Sequence, residues 1–200
     1  MNFLAHLLLS GSNEGIIMGN FAGDFVKGLL THEKTMNWDK DFLLGVKLHR
    51  FIDAFTDSHP IVRETKRAVA QTQGKLAGIA LDIYFDYFLA KDFRHYSPEP
   101  LEQYVPTMYA VFKRNEMLIP SQMTPMVSAM VEQDWLTSYA TISGIGLTFR
   151  RLSRRAFFLS TISDAHLELQ EGESYYQLQF NAFFPELQIA SAEFLAMNGA

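Results

Sequence analysis

The residues best suited to chemistry lie in one stretch of the first half of the chain, GVKLHRFIDAFTDSH (residues 45–59). His49, Asp53 and Asp57 are spaced four residues apart there, so on a helix their side chains project from a single stripe. An imidazole and two carboxylates on one stripe can ligate a divalent metal or exchange protons with a substrate. The same pattern also occurs on solvated helix faces, and for this stretch alone that alternative stays open.

A second stretch, GIALDIYFDYFLA (residues 78–90), places Asp82 and Asp86 at the same spacing. Its helical projection is apolar on nearly every side, which predicts a buried central helix. A carboxylate in such a helix is unfavourable unless it binds a cation or is fully hydrogen-bonded. The alternative to a metal is internal pairing with arginines such as Arg50 or Arg63. Taking the two stretches together, we favour a divalent metal site between two packed helices.

The elements that position these side chains are predicted to be helices throughout, because convincing period-2 alternation is missing. A central helix is expected over residues 41–57, and Pro60 begins the next helix, which ends at Gly74. No linker-like or charge-rich segment divides the chain. The prediction is an all-α, single-domain multi-helix bundle over residues 1–200.

Asn2 can cap a first short helix, and a later helix is expected over residues 122–140. A second helix, capped by Ser12 or Asn13 and expected to end near Gly28, adds two polar residues one turn apart, Asn20 and Asp24. Its other flank has glycines at four-residue spacing, which predicts a surface that another helix can approach closely. Asp24 is expected to lie beside the carboxylates of the buried helix, as a ligand or as the group that orients an attacking water.

Composition narrows the class of protein. The chain has 200 residues, is 48% hydrophobic and carries a net charge of −5 with mixed signs, which argues against a dedicated nucleic-acid binder. It has no cysteine, so disulfides and thiolate zinc sites are excluded. No apolar run is long enough to span a bilayer, and the N-terminus lacks the basic region of a signal peptide. We therefore expect a soluble cytoplasmic protein with no membrane partner.

A basic segment, GIGLTFRRLSRR (residues 144–155), contains four arginines and no acid. On a helix they form two adjacent i, i+4 pairs. They are either a solvated helix end or a site for phosphate or an acidic partner, since arginine binds phosphate through two parallel hydrogen bonds. The four residues are Arg150, Arg151, Arg154 and Arg155.

The absence of other motifs limits the chemistry further. The sequence has no phosphate-binding GxxxxGK[ST] loop, no HExxH, no Glu-x-x-His and no GxSxG. A contiguous His-Asp doublet is also missing, since Arg50 follows His49. The remaining oxygen and imidazole donors favour Mn²⁺ or Mg²⁺ over zinc. That donor set suits metal-assisted hydrolysis of a phosphoester.

Several segments, taken in order, resemble the acyl carrier protein phosphodiesterase family. They are MNFLAHLLLS (1–10), GNFAGDFVKG (19–28), LHRFIDAFTDSHP (48–60), LDIYFDYFLA (81–90) and the arginine segment near 150–155. The specific motifs lie mainly in residues 1–90. One departure is Leu8, where some members have a second histidine.

The resemblance implies an all-α fold distantly similar to HD-domain phosphohydrolases. It also implies Mn²⁺-dependent (or Mg²⁺-dependent) removal of 4′-phosphopantetheine from holo-acyl carrier protein, an activity within fatty acid biosynthesis. The residues that match the family's polar motif positions are His6, Asn20, Asp24, His49, Arg50, Asp53, Asp57, Asp82 and Asp86.

These residues and the arginine segment are assigned roles as expectations. The expected catalytic residues are Asp24, His49 and Arg50. The expected metal ligands are His6, Asp24, His49, Asp53, Asp57, Asp82 and Asp86. The expected substrate-binding residues are Asn20, His59, Arg150, Arg151, Arg154 and Arg155.

Two other functions stay open at the level of the sequence. One is a related metal phosphohydrolase that acts on a small nucleotide or phosphate ester. The other is a non-enzymatic helical binding module whose carboxylates are held in internal ion pairs. A requirement for metal separates the binding module from the two enzymes. Loss of mass from holo-acyl carrier protein separates the two enzymes from each other.

Overall fold

The fold is all-α, as the sequence predicted. The structure, a computed structural model, describes residues 1–199, and no β-strand occurs in that range. The helices of the first half are α1 (Phe3–Leu8), α2 (Glu14–Phe21), α3 (His32–Thr35), α4 (Lys40–Ser58), α5 (Pro60–Gln73) and α6 (Ala77–Lys91). Those of the second half are α7 (Leu101–Arg114), α8 (Thr124–Glu132), α9 (Trp135–Ser138), α10 (Ile142–Ser153), α11 (Ala165–Glu171) and α12 (Glu173–Met197). None of these helices combines the length and the apolar character that crossing a membrane requires.

The central helices begin and end close to the predicted positions. Asp39 caps α4 by accepting hydrogen bonds from the backbone N–H groups of Asp41 and Phe42. Pro60 stands in the first turn of α5, where its missing N–H costs nothing. Gly74 ends α5 with a φ of 52°, a conformation that favours glycine. Local sequence signals therefore set the ends of α4 and α5.

Two boundaries differ from the prediction. The second helix ends at Phe21, well before Gly28, and a 3-10 turn over Gly23–Phe25 follows it. The helix expected over residues 122–140 is interrupted at Asp134, whose φ of 46° is left-handed. A left-handed residue ends the regular helix, so α8 and the short α9 run in different directions.

Helix α6 is the buried centre of the fold, as its apolar projection predicted. Its aromatic side chains Tyr84, Phe85 and Phe88 are fully buried in the core. The helices packed around α6 include α1, α5, α10 and α12. Asp86 is fully buried on this helix, so its charge must find partners inside the protein, whereas the side chain of Asp82 is 39% exposed.

Helices α2 and α4 cross at a contact that only glycine permits. A Cβ atom on Gly19 would lie 2.0 Å from the backbone oxygen of Phe42, and one on Gly45 would lie 2.2 Å from that of Ile16. Both distances are far inside van der Waals contact, and both obstacles are backbone atoms that cannot rotate away. The predicted close approach at the glycine flank of α2 is confirmed.

The change Gly45→Ala is expected to lower the free energy of unfolding by about 3 kcal/mol, because α2 must move to admit the methyl group. Gly78→Ala is the matched control. A Cβ there meets only the flexible end of Lys66, at 3.1 Å, so stability should change by less than about 1 kcal/mol. Urea denaturation of the two variants measures the difference. Equal stability of both would contradict the backbone contact.

Candidate functional site

Two helices and one turn bring two imidazoles and two carboxylates together. His6 comes from α1, His49 and Asp53 come from α4, and Asp24 comes from the turn after α2. His6 Nε2 lies 3.3 Å from Asp53 Oδ1, and His49 Nε2 lies 3.1 Å from Asp53 Oδ2. Asp24 Oδ1 lies 3.5 Å from the same His49 nitrogen. The two rings stack with centroids 4.2 Å apart.

Asn20 fixes the orientation of both rings. Its side-chain amide donates to the backbone oxygen of His6 and to the hydroxyl of Ser10, each at 2.8 Å. The amide oxygen therefore faces His6 Nδ1, also at 2.8 Å, and accepts its proton. The backbone oxygen of Asn20 lies 2.9 Å from His49 Nδ1 and accepts from that ring. One buried residue thus places the proton of each neutral imidazole on Nδ1.

The consequence is that acceptors converge at the centre of the cluster. With Nδ1 protonated, the Nε2 lone pairs of His6 and His49 both point toward the oxygens of Asp53. Ligand atoms of these three residues lie within 4.8 Å of one another. Lone pairs that face carboxylate oxygens repel unless a proton or a cation lies between them. Two imidazole nitrogens with carboxylate oxygens are a donor set that fits a divalent transition metal.

The pKa values of the cluster follow from this geometry. Burial lowers the pKa of His6, which keeps the ring neutral. Burial also opposes charge on His49, but hydrogen bonds to Asp24 and Asp53 outweigh it and raise the pKa of His49 to about 9. The hydrogen bond to His49 lowers the pKa of Asp24. Burial raises the pKa of Asp53, yet its hydrogen bond to His49 prevails and holds the pKa well below the usual range.

At neutral pH one further proton, besides the two on Nδ1, therefore lies among the converging acceptors, on His49 Nε2. The folded pKa of His49 exceeds the ordinary value of 6.5. Its ion pairs therefore stabilise the fold fully below about pH 6.5, and this contribution is lost as the pH rises through about 9.

Gly23 allows the turn after α2 to lie against His49. A Cβ atom at this position would lie 2.2 Å from the imidazole ring. No side chain fits there, so the turn can bring Asp24 to His49 only through glycine. The four-residue glycine spacing of α2 thus serves two purposes, because Gly19 admits α4 and Gly23 admits its histidine.

Asp86 holds α1 in place and does not reach the cluster. Its two carboxylate oxygens accept the backbone N–H groups of Leu4, at 2.8 Å, and Ala5, at 3.2 Å. These are orphan donors at the start of α1, which Asn2, the expected cap, leaves unsatisfied. Burial raises the pKa of Asp86 to about 7, so the two N–H donors offset only part of the free energy that removing the carboxylate charge from water costs.

Asp82 also faces the start of the chain. Its Oδ1 lies 3.0 Å from the amino group of Met1. Both carboxylates thus contact the start of the chain, which the sequence did not predict. Asp82 also lines the cavity that Asp24 lines, so its role as a metal ligand stays a prediction, whereas Asp86 does not line that cavity. The helical spacing predicted correctly that they share a face. The face is occupied by backbone and amino N–H groups, which also stabilise carboxylates in an apolar helix.

A cavity of about 380 Å³ opens beside the cluster. Carboxylates and arginines line it together. The charged lining side chains are Asp24, Asp53, Asp57, Asp82, Arg151 and Arg155. The basic segment of α10 therefore borders the same space as the acidic cluster, although the two are about a hundred residues apart in sequence.

Arg151 is held rigidly at the wall of this cavity. Its guanidinium lies 4.8 Å from the ring centroid of Trp135 and donates to Gln133 Oε1 at 2.9 Å. Its Nη1 is buried and has no hydrogen-bond partner among residues 1–199. The hydroxyl of Thr56, another residue of the lining, is buried without a partner as well. Two buried polar groups beside one cavity, each without a protein partner, are positions where a bound water or a polar ligand is expected.

Several predicted site residues lie elsewhere. Arg50 Nη2 donates to the backbone oxygens of Val26 and Gly28, at 2.9 and 2.6 Å, and so holds the segment after Asp24. His59 Nε2 lies 3.2 Å from Glu186, away from the cavity.

The remaining differences concern Asn20 and the surface arginines. Asn20 is fully buried and fully hydrogen-bonded, so it orients the histidines and does not contact a ligand. Arg150 and Arg154 are exposed and do not line the cavity.

Sequence reasoning missed part of the lining. Trp135 and Tyr139, on and after α9, close the cavity opposite the acidic cluster. Ser10 completes the hydrogen bonds of Asn20. Trp135 is one of only two tryptophans in the chain, which was the one available signal. Its pairing with Arg151 depends on tertiary packing and leaves no mark on local periodicity.

Comparison with known proteins agrees with the motif-based resemblance. The family model described as acyl carrier protein phosphodiesterase matches residues 1–187. Proteins named acyl carrier protein phosphodiesterase from Pectobacterium atrosepticum and Escherichia coli O6:H1 are 26% and 29% identical to this chain. The first alignment covers 96% of this chain and 99% of the Pectobacterium protein, and the second covers 94% of this chain and 95% of the Escherichia coli protein.

No solved structure matches the chain significantly. The likeness to HD-domain phosphohydrolases therefore stays a prediction.

Removal of the Asp86 carboxylate tests its anchoring role. Asp86→Ala should lower the free energy of unfolding by about 3 kcal/mol, because two buried backbone donors lose their acceptor. Asp57→Ala is the control. The Asp57 side chain is 72% exposed and contacts only Lys66, at 3.4 Å, so the change should cost less than about 0.5 kcal/mol. Chemical denaturation measures both. A small loss at Asp86 would contradict the anchor.

Proposed function

The chain belongs to the acyl carrier protein phosphodiesterase family, and we propose that it hydrolyses the phosphodiester linking 4′-phosphopantetheine to the serine of holo-acyl carrier protein. The product is apo-acyl carrier protein. The observation that supports this most directly is the convergence of His6, His49 and Asp53 beside a cavity that Arg151 also lines. A divalent cation site and a phosphate-binding arginine facing one cavity are what phosphodiester hydrolysis requires.

We further propose that the cluster binds Mn²⁺ or Mg²⁺ through the two Nε2 atoms and Asp53, with Asp24 beside them. When bound, such an ion supplies a Lewis acid and lowers the pKa of water. The two imidazoles favour Mn²⁺ over Mg²⁺, which prefers oxygen ligands alone. Of the other proposed ligands, Asp57 and Asp82 line the same cavity and Asp86 does not.

The charge of the cavity supports a requirement for a cation. Four carboxylates line it against two arginines and the amino group of Met1, which is paired with Asp82. A phosphodiester is an anion, and a net negative cavity repels it. A divalent cation among Asp24, Asp53 and the histidines reverses that balance locally, so the reacting phosphate would then be attracted from both sides.

The residues of the chain divide the remaining work. Arg151, already oriented by Trp135, lines the cavity and is the guanidinium that would bind a phosphate oxygen there. Asp24 has a lowered pKa and a side chain that is 64% exposed, so it is an ionised base accessible to water in the cavity. Arg50 keeps Asp24 in place by binding the two carbonyl groups that follow it in the chain.

The first test is hydrolysis itself. Incubation of holo-acyl carrier protein with this protein and Mn²⁺ should reduce the carrier's mass by one phosphopantetheine arm. His49→Gln should lower kcat at least about 100-fold, because it removes a ligand and a proton-exchanging group. The exposed His32 on α3 provides the control, and His32→Gln should leave kcat unchanged.

The outcomes separate the alternatives. Hydrolysis of bis(4-nitrophenyl) phosphate with no change in the carrier's mass would indicate a small phosphoester as substrate. Full activity after prolonged treatment with a chelator would rule out the metal. Thermal melting of each variant shows whether a lost activity reflects unfolding.

The raised pKa of His49 makes metal binding dependent on pH. Because the pKa is about 9 in the metal-free protein, Mn²⁺ must displace a proton from His49 Nε2 at neutral pH. The association constant should therefore rise about tenfold per pH unit between pH 6.5 and 8.

Titration calorimetry in two buffers of different ionisation enthalpy measures this directly. About one proton should be released per ion at pH 7. Binding without proton release would contradict the proposed role of His49.

A further inference from the structure

The end of α10 and the turn that follows it form an unusual surface. Phe157 is 95% exposed and Phe158 is 69% exposed, and Arg150 and Arg154 are exposed close by in the sequence. We call these four residues the arginine–phenylalanine rim. Two adjacent phenylalanines in water are unfavourable, and such apolar patches commonly mark a surface that a partner covers.

The arginines of this region have no acidic partner in the protein. None of the four arginines between residues 150 and 155 forms an ion pair with another residue in the described range 1–199. By contrast, Arg114 is paired with Glu14 at 2.6 Å. The rim therefore combines exposed apolar area with uncompensated positive charge, although the protein as a whole has a net charge of −5.

The rim residues are sequence neighbours of residues that line the cavity. Arg151 and Leu152 line it from the end of α10, and Arg155 lines it from the turn that follows. The other charged lining is acidic, including Asp57 and Asp82. A partner that approaches the cavity therefore meets positive charge and aromatic surface on one side and carboxylates on the other.

Resting on the proposed function, we propose that the arginine–phenylalanine rim docks an acidic amphipathic helix of the carrier protein. A cavity of about 380 Å³ admits the phosphopantetheine arm, but the folded carrier must remain outside and contact the mouth. Unpaired positive charge beside exposed aromatic area is complementary to a partner surface that is both acidic and apolar, as an acidic amphipathic helix is. An acidic helix is repelled by the carboxylate side and attracted by Arg150 and Arg154, and its apolar residues cover Phe157 and Phe158.

Substitution of the two phenylalanines tests the apolar half of the rim. The double variant Phe157→Ser/Phe158→Ser should raise KM for holo-acyl carrier protein about tenfold, since aromatic anchors dominate small interfaces. Turnover of bis(4-nitrophenyl) phosphate, which has no carrier domain, should change less than about twofold. The matched control is Met117→Ser/Leu178→Ser, which removes side chains of 96% and 65% exposure that do not line the cavity.

The charged half has its own test. Arg150→Glu/Arg154→Glu should raise KM for the carrier about tenfold at low salt, and the difference from the unmodified protein should shrink as salt increases. An unchanged KM in both double variants would overturn the docking site, and so would an equal loss on both substrates.

Direct binding separates this inference from the proposed hydrolysis. The affinity for holo-acyl carrier protein is measured by calorimetry with the His49→Gln protein, alone and combined with the phenylalanine changes. If the unmodified protein leaves the carrier's mass unchanged, but binding of the carrier depends on the rim, the docking site is supported and the hydrolysis is rejected. If the unmodified protein hydrolyses the carrier, but binding does not depend on the rim, the hydrolysis is supported and the docking site is rejected.

Discussion

The hydrogen bonds of Asn20 determine the chemistry of the whole cluster. Its side-chain oxygen and its backbone oxygen each hold the Nδ1 proton of one histidine. Both Nε2 lone pairs must then face Asp53, an arrangement that is unfavourable until a proton or a cation enters. If either bond were absent, the corresponding ring could rotate or change tautomer, and the donors would no longer converge. The rest of the structure maintains this one residue's position.

Close packing of α2 and α4 sets the distance across which Asn20 acts. Gly19 immediately precedes Asn20 in α2, and Gly45 lies one turn before His49 in α4. Their missing side chains let the two backbones approach closely enough for a main-chain oxygen to reach an imidazole. Gly23 admits the ring itself. The electrostatics of the site therefore depend on the absence of three methyl groups as much as on the charged residues.

The sequence predicted more of the fold than of the site, and the reason is physical. Helical periodicity records which side chains share a stripe, so it placed His49 and Asp53 together and identified α6 as buried. It does not record what faces that stripe. Periodicity therefore predicts Asp86 as a metal ligand, whereas in the structure Asp86 binds two backbone N–H groups of α1. The contact of Arg151 with Trp135 had no local signal, since it joins separate helices.

The attachment of α1 through Asp86 also constrains how the protein is made. The contacts of Asp86 with Leu4 and Ala5 span 82 and 81 residues, and α1 has only six residues, too few to be stable alone. In a nascent chain α1 can contact α2 through Asn20, but it lacks the two Asp86 acceptors until α6 has emerged from the ribosome. Full attachment of α1 thus arises late in translation, and a ribosome that stalls before α6 leaves the first backbone donors of α1 without their acceptor.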